Sequence, residues 1–451
     1  MRTTPRREAP GRIDLFRPGR TYLNCALLGL LLGGLAGTAH ATNAAYLPGY
    51  SPKALAMGGG GTALPEDALI VHNNVAGIAM VDDQITAALT LYSPWTEVEI
   101  GTVKTPTDLN WFPAPGFGWR HAIGPDKAIG FALYGNGGIG NRYLPSFLDL
   151  AAGGGSPTGI PHTRELSISQ ISMLAVPSFA VQVDDRHALG VGLVLGLQTF
   201  EAKGLALFGC STPQGAADPG CAVPGGLPAQ EPAGLTNEGM GKSVAVGLRL
   251  GWLWRATAWL DVGVGATTPL KSTRMREYRN LLPNNGAFDQ PGEINLGLAW
   301  HATPATTVTV DWQRTFYAAT RDYGNPGPQA GMVPRAEQLL GNSNGFGFGW
   351  NNQDVYRIGL RHAAGSRLTL RAGYNHGNSP VETDQISFAL LNPGIMEQSI
   401  HAGLSWRLAS GNELTVSLFR GFRERLHGVS VLGPAQVTHH EYGLGLGYDW
   451  R

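Results

Sequence analysis

The sequence predicts an all-β chain folded as a fourteen-stranded antiparallel transmembrane β-barrel. Three observations predict it. The N-terminus reads as an export signal, apolar and polar residues alternate with a period of two after about Asp83, and the connections alternate between short and long.

The 451 residues contain only 15% Asp, Glu, Lys and Arg, against roughly 25% in soluble globular chains. Glycine accounts for 64 of them, about twice its usual share. No apolar run of about 18 residues follows the N-terminal region, which argues against a helical membrane protein. Arg2, Arg6, Arg7, Arg12, Arg17 and Arg20 form a basic region, Ala26–Ala36 is apolar, and Ala39-His40-Ala41 fits an A-x-A cleavage site. Residues 1–41 are therefore expected to be a signal peptide. The apolar stretch is too short for an anchor and ends in small residues. Its removal takes six Arg, Glu8 and Asp14 from 33 basic and 33 acidic residues, leaving 27 and 31 and a net charge of −4. That charge gives no basis for nucleic-acid binding. Cys210 and Cys221 remain. In an oxidising compartment a pair this close can form a local disulfide. No His or second Cys pair lies near them at ligand spacing, so no metal site is expected, and no cofactor motif is present.

The last segment shows the alternation best: Tyr442, Leu444, Leu446, Tyr448 and Trp450 share a face opposite Gly443, Gly445, Gly447 and Asp449. Aromatics sit at both ends with aliphatics between, as in a membrane strand of about 9–11 residues flanked by aromatic girdles. Val246, Leu248, Leu250, Trp252 and Trp254 oppose Gly247, Arg249 and Gly251; Leu296, Leu298 and Trp300 oppose Gly297 and His301; Val308, Val310 and Trp312 oppose Thr309, Asp311 and Gln313. Leu368, Leu370, Ala372 and Tyr374 oppose Thr369, Arg371 and Asn375, and Leu414, Val416 and Leu418 oppose Thr415 and Ser417. One alternating strand is weak evidence, because any half-buried sheet alternates. Many of them after an export signal indicate a barrel whose apolar face meets lipid and which closes to leave no open edge.

In order, strands are expected near 83–101, 114–122, 127–137, 165–183, 188–203, 242–255, 257–274, 292–301, 305–318, 354–361, 366–377, 398–408, 412–422 and 438–450. Short turns then follow the even strands, such as Ile123–Asp126, Asp184–His187, Ala302–Pro304 and Ala363–Gly365. Long loops follow the odd ones: 138–164, 204–241, 275–291, 320–353 and 378–397. Short periplasmic turns and long outer loops characterise bacterial outer-membrane barrels.

About forty residues separate the cleavage site from the first strand. Leu55-Ala-Met57-Gly-Gly-Gly-Gly61-Thr-Ala-Leu64, Glu66-Asp67-Ala68 and Asn74-Val75-Ala76-Gly77 resemble the N-terminal plug of the FadL/TodX family, with Val75 where the family has Pro. Gly349–Gly359 and Leu370–Asn375 are similar to its later strands. The resemblance implies a plug over residues 42–82 inside a fourteen-stranded barrel over 83–451. It also implies transport of long-chain fatty acids or aromatic and aliphatic hydrocarbons across the bacterial outer membrane. Uptake would be passive and affinity-driven, with sideways release through a gap beside a kinked strand. The run Tyr134-Gly135-Asn136-Gly137-Gly138-Ile139-Gly140 cannot hold a regular ladder well and is the expected kink. Asn74, Val75, Ala76 and Gly77 are expected to control it from inside.

Lumen-facing positions are rich in Gly (Gly190, Gly192, Gly196, Gly247, Gly251, Gly263, Gly265). This either leaves room for a plug or ligand or only sets curvature. Leu144, Phe147 and Leu148 in the first long loop, and Leu205, Leu207 and Phe208 in the second, are candidates for ligand capture or for a packed lid. Arg249, Arg357 and Arg371 fall on the lumen face, where each could pair with a ligand carboxylate or with a structural acid such as Asp261 or Asp311.

The expected partners are a hydrophobic small molecule, outer-membrane lipid and lipopolysaccharide, around a chain that needs no second copy. An enzyme is not expected, because neither Gly-x-Ser-x-Gly nor His-Glu-x-x-His occurs, and the glycines at 58–61 lack the following Lys of a phosphate loop. A general porin would have no use for a forty-residue plug. A barrel scaffold for secretion partners is the other alternative.

Overall fold

A computed structural model describes residues 44–108, 111–148, 165–222 and 228–451; the expected signal peptide lies outside them. Fourteen long strands form one antiparallel sheet: β1 Gln84–Ile100, β2 Phe112–Ala122, β3 Lys127–Tyr143, β4 Leu166–Gln182, β5 His187–Lys203, β6 Gly241–Thr257, β7 Leu260–Thr267, β8 Glu293–Thr303, β9 Thr306–Thr315, β10 Gln353–Ala363, β11 Leu368–Gly377, β12 Gln398–Arg407, β13 Glu413–Ser430 and β14 Gly433–Trp450. Each pairs with its neighbour in the chain, and β14 pairs back onto β1 from Ile85 opposite Trp450 to Ile100 opposite Ala435. The sheet therefore closes. Two short strands, Val103–Pro106 and Lys271–Ser272, add onto β1 and β6.

The alternation decides which face is which. Leu193, Leu195, Leu248, Leu298, Val310, Leu418 and Leu446 point outward and are exposed. Thr309, Asp311, Gln313, Asn375, Ser417 and Asp449 lie between such residues on the inner face and are buried. Trp300, Trp406 and Trp450 are exposed next to the short-turn end, where indoles suit a membrane–water boundary. Such a belt is stable only in hydrocarbon, where pairing of β14 with β1 joins the two outer edges of the sheet.

Four strands depart furthest from the sequence expectation. The third strand does not end at Gly137 but continues to Tyr143, because its glycine-rich half still pairs with β4. The strand expected over 257–274 is interrupted after Thr267: Pro269 cannot donate to a ladder, and Leu270 pairs instead with Gln290. The last two strands extend to Ser430 and from Gly433, because their pairing resumes after a register shift between Gly421 and Glu424.

At the long-loop end, Tyr143, Phe147, Phe208, Tyr278, Phe288, Tyr317, Tyr323, Phe348, Trp350 and Phe388 are buried in one apolar cluster. Many of the rings meet edge-on or tilted at 4.8–6.1 Å between centroids, an arrangement that adds to area burial. Cys210 and Cys221, with Cα atoms 5.5 Å apart, are disulfide-bonded beside this cluster.

Leu193 sits midway along the lipid-facing run of β5, opposite Leu248. Leu193→Arg is expected to lower the unfolding free energy by about 2–4 kcal/mol, measured by urea titration in lipid vesicles. Leu193→Ala should cost clearly less.

Candidate functional site

Residues 44–82 pack against inward-facing groups of strands around the barrel. Ser51 caps a short helix, Pro52–Ala56, its Oγ accepting from the Ala54 N–H at 3.1 Å. From that helix Lys53 reaches Asp449 at 2.7 Å and Glu413 at 2.9 Å. Glu66 pairs with Arg371 at 2.7 Å and Arg361 at 2.8 Å. Asp311 accepts from the N–H groups of Gly61 and Thr62 at 3.0 and 2.8 Å. Asn74 donates through Nδ2 to the carbonyls of Thr62 and Trp252 at 3.0 and 2.9 Å, while its Oδ1 accepts from the Ala76 N–H at 3.1 Å.

Glycine makes this approach possible. A Cβ on Gly265 would stand 2.0 Å from the Asn73 carbonyl oxygen, and one on Gly251 2.3 Å from Asn74 Oδ1. On Gly190 and Gly263 it would meet the backbone of Ala76 and Thr62 at 2.6 and 2.3 Å. At these four positions glycine makes room for the segment's own main chain. At Gly192 and Gly196 the nearest atoms belong to neighbouring strands.

The three lumen arginines all have protein partners. Arg249 donates to Tyr134 Oη at 2.6 Å, Thr267 Oγ1 at 2.9 Å and the Val71 carbonyl at 3.2 Å. Arg357 donates to Gln313, and Arg371 is held by Glu66 and by Ser405 Oγ at 2.7 Å. Asp311, one of the two acids expected as structural partners, is instead taken by the backbone at 61–62, and Asp261 is 2.9 Å from His301. The counter-charge to Arg371 is Glu66, which no strand pattern could identify. Burial opposes ionisation of Glu66, but Arg371, then Arg361 and Lys53, hold its carboxyl at about 2. Burial has the opposite result at Asp67, raising it to about 6 against the pull of Lys53.

The barrel wall is interrupted beside this segment. Pairing of β2 with β3 runs only from Gly116 opposite Tyr134 to Ala122 opposite Ala128. Above it, Phe112–Pro115 still pair with β1, and the far half of β3 still pairs with β4, but these two stretches do not pair with each other. Two causes are visible. Pro113 and Pro115 have no N–H to give to either neighbour. On the other side the β3–β4 register shifts between Gly135 and Gly137, leaving Asn136 unpaired as a bulge, and Gly137 adopts φ +128°. Any other residue would be strained there.

The lumen contacts hold that bulge. Tyr50 Oη donates to the Asn136 carbonyl at 2.9 Å, and Asn136 Nδ2 donates to Gln290 Oε1 at 2.8 Å. Gln290 Nε2 in turn donates to Ser172 Oγ at 2.6 Å. Tyr46 bridges to Gly137, and the Gly138 N–H donates to the Ala45 carbonyl at 3.2 Å. Residues 44–50 thus supply part of the pairing that β2 withholds. Asn74–Gly77 lie elsewhere, against β4, β5 and β6, with Asn74 also beside Gly265 of β7, rather than against the break.

A cavity of about 250 Å³ lies at the break, between Tyr46, Phe112, Pro113, Gly138, Ile171 and Met396 among others. The Phe112 ring rests on Gly140, whose Cβ, if present, would be 2.3 Å from it. A second, nearly filled cavity of about 40 Å³ lies within the loop cluster, between Phe208, Leu282, Phe348 and Phe388. Of the expected capture residues, Phe147, Leu148, Leu205 and Phe208 are buried in that cluster, Leu207 packs against it, and Leu144 is exposed. Residues missed from sequence are Tyr46, Tyr50, Phe112 and Glu66. Pro113 and Pro115 were the legible signal, since proline inside a strand marks a side without a partner.

No family model matches the chain, and no curated protein does. Solved structures do. The toluene transporter TodX of Pseudomonas putida is 17% identical, with a TM-score of 0.65 over 89% of this chain and 98% of that one. The toluene transporter TbuX of Ralstonia pickettii is 16% identical, TM-score 0.61, over 90% and 99%. A FadL homologue of Pseudomonas aeruginosa is 14% identical, TM-score 0.62, over 90% and 99%. The chain therefore shares the fold of FadL- and TodX-type barrels.

Glu66→Gln leaves Arg371 and Arg361 without their carboxylate, a loss of about 3–5 kcal/mol for a buried pair. It should render residues 44–82 sensitive to protease in the folded barrel. A carboxylate with a lowered folded value contributes stability above its unfolded value, which is lost only as pH falls through about 2. The native segment should therefore stay protected from an acid-active protease at pH about 3, where an ordinary carboxylate is already largely protonated.

Proposed function

We propose that this chain is an outer-membrane transporter of hydrophobic small molecules of the FadL/TodX family, that residues 42–82 plug its lumen after removal of residues 1–41, and that solute leaves sideways through the wall. The observation that supports this best is the missing β2–β3 pairing with a cavity behind it. A closed aqueous pore has no use for a broken ladder at membrane depth, where unpaired backbone groups cost several kcal/mol each. Solved barrels of the same fold are described as toluene transporters and a FadL homologue, which agrees with this class of solute.

Solute would be taken up passively. The apolar loop cluster and exposed Leu144 offer a hydrophobic landing surface, and each methylene buried contributes roughly 0.8 kcal/mol. The 250 Å³ cavity is roomier than the apolar cavity of about 150 Å³ that accepts benzene. From there the solute passes between Phe112 and the glycines of β3 into the membrane. The barrel works as a monomer within lipid and lipopolysaccharide.

Ala114 and Gly135 face each other across the break, with the Ala114 Cβ 3.5 Å from where a Gly135 Cβ would stand, within the range a disulfide spans. The oxidised pair Ala114→Cys with Gly135→Cys is expected to abolish channel-dependent toluene uptake by cells, and a reductant should restore it. Each single variant should transport. Uptake unaffected by the crosslink would rule out the sideways route.

A further inference from the structure

Where the outer wall leaves the apolar belt, one strand carries a row of cations. On β13 the lipid-facing Leu414, Val416 and Leu418 are followed on the same face by Arg420. The register shift between Gly421 and Glu424 then exchanges the faces, so that Arg425 stands opposite Thr438 and His427 opposite Gln436. Residues opposite each other in a ladder share a face, and Thr438 and Gln436 continue the outward series of Leu446 and Tyr442 on β14. Arg420, Arg423 and Arg425 are all exposed, and none is in an ion pair among the described residues. The acids on this face are Glu97 and Glu99 of β1, opposite Thr438 and Gln436, and Glu99 is already held by Lys104 at 2.9 Å. Beyond Gly421, β12 no longer pairs with β13, so that side of Arg423 and Arg425 has no neighbouring strand.

The height of the row matters. Trp450 stands at the short-turn boundary. At about 3.4 Å per residue and a tilt of about 40°, Tyr442 lies roughly 21 Å above it, and Thr438, level with Arg425, roughly 31 Å. An apolar band about 25 Å tall ends between them, which puts Arg425 among the headgroups of the outer leaflet. Arg420, level with Tyr442, starts inside the band. Its guanidinium lies over the rings of Phe422 and Tyr442 at 5.8 and 5.9 Å, as a long cationic side chain does when it reaches a boundary from within the apolar layer.

Resting on the outer-membrane placement proposed above, we infer that this face of β13 is a binding site for a phosphorylated glycolipid of the outer leaflet, lipopolysaccharide, whose phosphates sit on Arg420, Arg423 and Arg425 and whose acyl chains run along Leu414, Val416 and Leu418. Guanidinium groups match phosphate oxygens in fixed, paired hydrogen bonds. The continuous apolar strip below them on the same strand suits the acyl part of a lipid and has no use for a soluble phosphate. The site lies on the outer wall, apart from the lumen and the break, so solute transport does not pass through it.

The test uses the full barrel, refolded free of lipid in detergent, with binding of added lipopolysaccharide followed by native mass spectrometry. Wild-type protein should bind intact lipopolysaccharide, and the same lipid stripped of its phosphates should bind about tenfold more weakly or worse. The triple variant Arg420→Gln, Arg423→Gln, Arg425→Gln should lose a similar factor. Lys242→Gln, on the outward face of β6 in line with Val244 and Val246, should bind as wild type does. Folding of each variant is checked by the heat-dependent gel shift of a barrel. The two lipids compared on wild-type protein decide the matter even if the triple variant does not fold. Equal binding of both lipids, or undiminished binding by the folded triple variant, would overturn the site. Displacement of the lipid by millimolar inorganic phosphate would overturn the lipid assignment in favour of the free ion. Toluene uptake is read separately: the triple variant should transport as wild type does, and a wild type without channel-dependent uptake would remove the transport reading while the binding result stood.

Discussion

In hydrocarbon every backbone N–H and C=O must find a partner within the protein, and the rest of this structure follows from how that demand is met or waived. Among the described residues the other strand junctions meet it with ladders over most of the length their strands share, interrupted by register shifts at β6–β7, β8–β9 and β13–β14. At the β2–β3 junction the ladder covers only the half nearer the short turn. Two prolines withhold donors on one side and a glycine bulge shifts the register on the other. The deficit is answered from within the lumen, where Ala45 and Tyr46 pair with Gly137 and Gly138, and Tyr50 takes the Asn136 carbonyl. The break and the N-terminal segment are thus one device.

The same segment explains an otherwise odd lumen. Glycines on β5, β6, β7 and β8 lie where the backbone of residues 61–76 needs the space. The inward charges lie where that segment supplies their partners: Glu66 for Arg371, the N–H groups of Gly61 and Thr62 for Asp311, and Lys53 for Glu413 and Asp449. A barrel stripped of residues 44–82 would leave these groups facing one another unpaired, and the cost of buried, uncompensated charge keeps the segment in place.

Much of this was legible in the chain. A period of two reports burial on one side, so the strand order, the lipid face and the inward Arg249, Arg357 and Arg371 could be read directly. The glycine run at 135–140 identified the weak stretch of β3, though not that the strand resumes and reaches Tyr143. What local pattern cannot report is pairing across hundreds of residues. Nothing near Arg371 in sequence points to Glu66, so its availability for a ligand stayed open until the structure placed the two together. The loop leucines and phenylalanines read equally as a capture surface or a packed lid, because apolar character does not say what it touches. Asn74–Gly77 resemble a plug motif, yet they lie against β4 to β7, whereas Tyr46 and Tyr50 reach the break.

Residue-resolved amide hydrogen exchange of the protein in lipid nanodiscs bears most directly on the claim that the wall is open at one junction. The N–H groups of β3 between Lys127 and Tyr134 should be protected to the same degree as those of β9 and β10. Between Gly135 and Tyr143, the N–H groups directed at β2 other than those of Gly138 and Arg142, which Ala45 and Thr107 accept, should exchange orders of magnitude faster than those directed at β4. Uniform protection along the whole length of β3 would contradict the account.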